Sequence, residues 1–390
     1  MTDLAILGGG LAGGLIALAL AEARPDLTLL LVEAGETFGG NHVWSFFARD
    51  VDRGGKALTD PLVAHRWQGY DVHFPGHSRL LDTPYRSITS ERFDARLREV
   101  LPQAALLTRA QVAEAGPTHV TLADGRSLTA GGVIDSRGAT GLPHMAGGWQ
   151  KFLGQVLRLS EPHGLSRPIV MDARVEQIDG YRFVYCLPFS DTEVFVEDTY
   201  YSDTPTIDRE TLRSRIDAYA SAQGWQVVET TREETGVLPV IAAGDFEVFW
   251  PASDPLARAG VRGALFHPLT SYSLPTAVRT AQAIAALPDL SGPALATATR
   301  DIARRNWQNG GYNRMLTRML FAAAEPERRW PILERFYRLP EPLIERFYAS
   351  RSSRADMLRI LAGKPPVPIR SALAALTGRG HPLASLETGP

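Results

Sequence analysis

The sequence predicts an α/β protein in which a parallel sheet is interleaved with a separate antiparallel sheet and followed by a helical C-terminal region. Three observations predict it. A strand, a glycine-rich turn and a helix open the chain, period-two segments separated by tight turns fill residues 168–201, and residues 300–376 carry apolar and aromatic side chains at helical spacing.

The opening element carries the most information. Asp3 to Leu7 reads as a short buried strand, and Leu11 to Arg24 places Leu, Ile and Ala at helical spacing until Pro25 ends the helix. Leu27 to Val32 is apolar apart from Thr28, as a parallel strand covered on both faces requires. Between strand and helix, Gly8-Gly9-Gly10-Leu11-Ala12-Gly13 satisfies G-x-G-x-x-G. Gly8 permits the tight turn, Gly10 lets the backbone approach a pyrophosphate, and Gly13 allows the helix to pack closely on the strand. Leu11 and Ala12 begin the helix whose N-terminal N–H groups would face the phosphates. Glu33 closes the second strand, twenty residues after Gly13, where a carboxylate accepts hydrogen bonds from ribose hydroxyls. The unit is Rossmann-like and predicts a ligand containing adenosine diphosphate.

The residues after Glu33 select among such ligands. Glu33-Ala34-Gly35, leading to Phe38-Gly39-Gly40-Asn41-His42, resembles flavoproteins, in which a second glycine pair approaches the flavin half of FAD. Gly132 to Gly138, with Asp135, fits either the flavoprotein strand that returns to the cofactor or an ordinary strand and turn. The FAD-binding domain is therefore expected to be discontinuous, over 1–50, 115–150 and 255–290.

Residues 51–114 are expected to form a helical insertion, with Ser90 and Glu91 starting a helix that carries Phe93, Leu97 and Val100. Val120 to Leu128, turning at Asp124-Gly125, predicts a hairpin that leads to an apolar strand at Gly132 to Ile134. Residues 151–254 are expected to form an antiparallel-sheet substrate domain. Its clearest segments are Ile169 to Val175, Tyr181 to Leu187 after the Asp179-Gly180 turn, and Glu193 to Tyr201. His267 and Pro268, with Thr270 and Ser271, precede an Ala-rich helix whose N-terminus would point at pyrophosphate and flavin. His267 itself reads equally as a hydrogen-bonded structural histidine. Residues 291–390 complete the chain as the helical region. There Tyr312 to Phe321 interleaves Met315, Leu316, Met319 and Leu320 with Arg314 and Arg318, a pattern suited to a core-facing helix or to a membrane interface.

Composition excludes several classes. With 41 basic and 43 acidic residues the chain has a net charge of −2, giving no field that gathers nucleic acid. Cys186 is the single cysteine, so there is no internal disulfide, and a buried strand thiol is its simplest reading. The nine histidines lack metal-ligand spacing, and no metal is implied. The start of the chain lacks the basic leader of a signal peptide. The longest apolar run, Leu11 to Ala21, is about half of a spanning helix.

Beyond these readings, five runs resemble the bacterial carotenoid cyclases that form β-rings. They are Gly39 to Phe46, Gly180 to Tyr185, Phe195-Val196-Glu197-Asp198-Thr199, Leu265 to Pro275, and Gly363-Lys364-Pro365-Pro366-Val367-Pro368. They span nearly the whole chain in family order; one departure is Asp198, where plant members carry a second glutamate. The resemblance implies a non-redox isomerase that closes the linear ψ-ends of lycopene and related carotenoids. It further implies reduced FAD, with NADPH or NADH as reductant, and peripheral attachment to the cytoplasmic face of a membrane. Closing the ring requires a proton at C2, attack of the C5=C6 bond on the cation at C1, and loss of the proton from C6. The hydrocarbon offers no heteroatom, so the enzyme must supply a positioned acid and a shaped pocket. The resemblance assigns the catalytic carboxylates to Glu197 and Asp198. Strand alternation puts Phe195, Glu197 and Thr199 on one face and Val196 with Asp198 on the other, so one carboxylate alone faces the pocket. On residues alone the pair also reads as an acidic strand end. Trp44, Tyr185, Phe195 and Tyr272 are the aromatic candidates for the substrate pocket, where a ring face attracts a cation by about 0.5 to 2 kcal/mol. Two rival readings are a monooxygenase or isoprenoid reductase of the same fold, and a non-catalytic flavin- or carotenoid-binding protein.

Overall fold

The computed structural model describes residues 2–138, 141–363 and 367–387. Strands Thr2–Leu7, Leu29–Val32 and Leu106–Leu107 run parallel to one another, and Ser127–Asp135 joins the other side of Thr2–Leu7 in the same sense. His119–Leu122 and Val112–Ala115 extend this first sheet antiparallel, while Ala257–Arg258 pairs with the end of Ser127–Asp135. The second arm of the expected hairpin and the apolar strand after it are thus one continuous strand. Helix Leu11–Ala23 lies on the sheet with Gly14 against the Phe93 ring, where a Cβ would sit 2.4 Å from the ring.

The second sheet has the strand order Val227–Gly244, Met145–Leu159, Glu193–Ser202, Tyr181–Pro188, Ile169–Asp172, Tyr70–Phe74, His77–Leu81. Its pairings are antiparallel except for Ile169–Asp172 beside Tyr70–Phe74. The turn at Asp179-Gly180 has φ of +57° and +105°, which allows the reversal before Tyr181. One face of this sheet is covered by helix Arg209–Ala222, and the other carries an aromatic cluster with Phe336, Tyr337, Phe347 and Tyr348.

Residues 51–114 are not the helical insertion that the sequence suggested. They hold helices Arg53–Thr59 and Ser90–Val100, but Tyr70–Phe74 and His77–Leu81 belong to the second sheet. His65–Trp67 and Tyr85–Thr89 form a third sheet with Val43–Phe47, and Leu106–Leu107 belongs to the first. Strands of two to five residues give the helical period nothing to contradict, so polarity alone misled.

Six helices from Gly292–Asn309 to Ile369–Leu376 form the expected helical region, and a short strand Ala384–Ser385 after them pairs with Met145–Leu159. Helix Gly311–Ala322 buries Thr317, Leu320 and Phe321 and turns Leu316 and Met319 toward an apolar cavity. Among the described residues no helix is long and apolar enough to cross a membrane.

Candidate active site

The glycine turn leaves the space that a pyrophosphate needs. Gly8 has φ of +91°, and a Cβ on Gly13 would meet the Gly8 carbonyl oxygen at 2.0 Å, whereas a Cβ on Gly10 would meet nothing within 4 Å. Gly10 caps the helix without any side-chain bond, so no capping side chain claims the first-turn N–H groups. Glu33 accepts from the N–H of Gly9 at 2.7 Å and of Gly35 at 2.8 Å, which leaves half of its lone-pair sites for a ribose. Ala34 beside it is exposed. Gly39 and Gly40 both have positive φ, and the Gly39 N–H donates to the Gly9 carbonyl, bringing the two glycine turns together. This cradle and donor set fit the ADP half of FAD.

Other expected cofactor residues have their side chains committed elsewhere. Asp135 is ion-paired with Arg137 at 2.8 Å and with Arg262 at 3.3 Å. Asn41 donates to the Glu233 carbonyl. His267 is buried, accepts the N–H groups of Leu269 and Thr270 on Nδ1, and has its ring edge on Phe347; burial lowers its pKa to about 3. The Ser271 hydroxyl donates to the Pro239 carbonyl, the Pro268 carbonyl accepts from Ile241, and Thr270 lines the apolar cavity. These four residues shape the turn before helix Leu274–Ala285.

The second sheet supplies the chemistry. Tyr185, Glu197, Gly154 and Glu234 stand directly opposite one another on four adjacent strands, and cross-strand partners share a face. Glu197 keeps partial accessibility between the buried Val196 and Asp198 and accepts a hydrogen bond from Thr199 Oγ1 at 2.5 Å. Burial raises its pKa to about 7, against the Thr199 hydrogen bond, with Asp198 adding to the rise. Asp198 lies on the opposite face, fully buried and paired with Arg182 Nε at 2.7 Å. Alternation turns it under helix Arg209–Ala222, so the structure does not bring the two expected catalytic carboxylates onto one face.

Aromatic rings continue from Glu197. Phe195 stacks edge-on to Tyr185, the Tyr185 hydroxyl lies 3.1 Å from that of Tyr85, and Tyr85 packs on Phe47, which meets Tyr348 at 5.2 Å. Tyr348 borders an apolar cavity of about 240 Å³ walled by Leu316, Met319, Phe336 and Phe347. Tyr272 donates to Asp50 at 2.5 Å, and burial raises the Asp50 pKa to about 7. Trp44 is apart from this group, packed on Phe93 beneath the Gly39 turn. Sequence reasoning missed Glu234, Tyr85 and Asp50; of these, only Tyr85 carried a signal, the short strand Tyr85–Thr89.

Residues 3–374 match the family model described as lycopene cyclase protein. The chain belongs to the lycopene cyclase family. The family's lycopene beta-cyclases from Pseudescherichia vulneris and Pantoea ananas are 50% and 46% identical to it, each over 96% of this chain and 97% of the relative. A chloroplastic lycopene beta cyclase of Arabidopsis thaliana is 24% identical over 73% of the chain and 60% of its own length. Of the runs that carry the resemblance, Lys364 to Pro366 lie outside the described residues. Solved structures share the Rossmann-like flavoprotein fold at low identity. A geranylgeranyl bacteriochlorophyll reductase-like protein from Thermoplasma acidophilum superposes with TM-score 0.60 at 15% identity, covering 96% of this chain and 98% of its own. Klebsiella pneumoniae HpxO, complexed with FAD and uric acid, gives 0.58 at 14%, covering 94% and 98%.

Proposed function

We propose that the chain is a lycopene β-cyclase in which Glu197 protonates the linear end of the carotenoid. The observation that carries this is a carboxyl of raised pKa on an aromatic-lined face, in a chain about half identical to lycopene beta-cyclases. Phe195 and Tyr185 flank Glu197 with aromatic surface, which limits the water that would otherwise capture the cation. The Gly8–Glu33 cradle would hold FAD, which, kept reduced by NADPH or NADH, would supply either negative charge to stabilise the cation or a base for the C6 proton. The proposed reaction closes a ring and changes neither mass nor oxidation state.

Expression in lycopene-accumulating bacteria tests this reading directly. The expected outcome is a shift from red to orange-yellow pigment with carotenoid mass unchanged. A product heavier by oxygen or by hydrogen would instead favour the monooxygenase or reductase reading.

The Glu197 pKa sets the pH dependence. Donation requires the protonated acid, so the rate is expected to stay level below about pH 7 and fall about tenfold per unit above it. Initial rates at constant flavin occupancy measure this; a rate still climbing well above pH 7 would remove Glu197 as donor. Stability depends on the same shift. The folded group holds its proton up to about 7 and the unfolded one only to 4.5, so its contribution is complete below 4.5 and declines as pH rises toward 7.

Delivery of a hydrocarbon calls for a lipid surface. Helices Arg354–Leu361 and Ile369–Leu376 expose Leu358, Leu361, Ile369, Leu373 and Leu376, and Leu361, Ile369 and Leu373 also line the apolar cavity. Arg354, Arg359 and Arg370 are exposed beside them and suit anionic headgroups. This patch supports peripheral docking with the cavity mouth turned to the bilayer.

A further inference from the structure

The apolar cavity has a mouth, a wall and a floor drawn from different parts of the chain. Leu361, Ile369 and Leu373 line it and are at the same time 43%, 64% and 57% exposed. It therefore opens at the surface beside the end of helix Arg354–Leu361 and the start of helix Ile369–Leu376. Leu316 and Met319 of helix Gly311–Ala322 form a wall, and the second sheet supplies the floor through Met171 and Tyr201.

The lining suits a hydrocarbon. Arg335, its one charged side chain among the described residues, donates to the Ala362 carbonyl, and the Tyr348 hydroxyl is paired with that of Tyr337 at 2.8 Å. A space with so few free polar groups gives water too few hydrogen bonds to hold it, so an entering apolar chain has little to displace.

The inner end of the cavity is in line with Glu197 but short of it. Tyr201 is four residues beyond Glu197 on one strand and hence on the same face, about 13 Å along it. A layer of rings links the two places. Tyr348 borders the cavity and packs on Phe47 at 5.2 Å, Phe47 packs on Tyr85 at 4.9 Å, and Tyr85 meets the hydroxyl of Tyr185, the residue opposite Glu197.

We propose that this cavity is an entry site, which takes the linear end of the carotenoid from the bilayer and holds it before it passes the Tyr348 ring to Glu197. The proposal rests on the reading that the chain cyclises a carotenoid at Glu197. The cavity opens among the exposed leucines at one end and lies on the Glu197 strand face at the other, as a route between bilayer and acid requires. A phospholipid acyl chain is also apolar, but it is tied to a headgroup that stays at the interface, whereas the carotenoid is apolar to its tip and can leave the bilayer wholly.

Thiol chemistry tests this, because Cys186 is fully buried and leaves the chain no accessible thiol of its own. Met319→Cys, or Leu316→Cys if the first fails to fold, puts a thiol on the cavity wall, and Arg318→Cys puts one on the same helix off that wall. In a Glu197→Gln background, expected to bind lycopene without consuming it, labelling by methyl methanethiosulfonate is timed with phosphatidylcholine–phosphatidylglycerol vesicles, with and without lycopene. At roughly nine-tenths occupancy lycopene should slow labelling of Met319→Cys about tenfold beyond the effect of plain vesicles, and leave Arg318→Cys unchanged. With Glu197 intact and FAD reduced, benzyl methanethiosulfonate on about nine-tenths of the Met319→Cys thiols leaves about one enzyme in ten able to load, so cyclisation should fall about tenfold. Dithiothreitol, which removes the benzylthio group, should restore it. Equal protection by plain vesicles would assign the cavity to phospholipid, and protection that rises with protein concentration alone would assign it to a second copy. Cyclisation indifferent to the benzyl group would put the route to Glu197 elsewhere, and each of these results overturns the proposal. Failure of the underlying reading looks different, since Glu197→Gln would then still form product.

Discussion

Glu197→Gln is expected to lose nearly all cyclisation while keeping its flavin and its melting temperature. A hydrocarbon gives the enzyme nothing to polarise, so the reaction begins with protonation of carbon by an acid that an apolar setting keeps neutral. Glutamine matches the shape of Glu197 and still accepts the Thr199 hydroxyl, but it has no acidic proton. Removing a positioned general acid costs on the order of 100- to 10,000-fold. Glu197→Asp keeps the acid but withdraws it by about 1 Å, so it should retain roughly one part in 100. The neighbouring carboxylate should behave in the opposite way. Asp198→Asn leaves the buried Arg182 without its counter-charge, which costs about 3–5 kcal/mol of stability and acts on folding before chemistry. Product yield and thermal melting of the three variants separate these outcomes. Full activity in Glu197→Gln, with Asp198→Asn inactive but folded, would exchange the two roles.

The second large effect is expected at the glycine turn, where adjacent glycines serve different ends. Gly10 has open space where a side chain would go, and its φ of −73° suits any residue. Gly10→Val should therefore leave the unliganded fold intact yet place two methyl groups where the pyrophosphate approaches, abolishing flavin binding. Gly13→Val should fail earlier, because its Cβ would meet backbone at 2.0 Å and force helix Leu11–Ala23 off the sheet. The measurement is flavin absorbance after reconstitution beside the melting temperature of the unliganded protein. Flavin retained in Gly10→Val would remove the cradle assignment.

The parts of the fold that the sequence made legible are those set by an unbroken apolar run or a clear alternation. Thr2–Leu7, Leu11–Ala23 and Leu29–Val32 are such runs, bounded by glycine, proline and polar residues, and the alternation from Phe195 to Thr199 separates Glu197 from Asp198. Tyr70–Phe74 alternates just as cleanly between buried and half-buried positions, but it is too short to outweigh the polar residues around it. Glu234 was hidden for another reason. It ends the run Glu229-Thr230-Thr231-Arg232-Glu233-Glu234, whose first residues are exposed, and the strand becomes buried only as it passes beneath the rest of the sheet. Nothing local distinguishes Glu234 from Glu229. It joins the Glu197 rung only by standing opposite Gly154, a pairing that spans eighty residues. The commitments of His267 and Ser271 are likewise tertiary, since their partners are Phe347 and Pro239.

Glu33 has a consequence beyond the ribose contact for which such residues are known. Its two oxygens are held by the N–H groups of Gly9 and Gly35, and the Gly9 carbonyl in turn accepts the N–H of Gly39. Glu33 and this backbone bond thus fasten the Gly8–Gly10 turn to the loop after Leu29–Val32 before any nucleotide arrives. The glycine-rich segments that would otherwise have to be ordered on binding are already ordered by folding, so little conformational entropy remains to be lost when the ligand docks. Affinity at this site is then as much a property of the empty protein's rigidity as of the contacts made to the ligand.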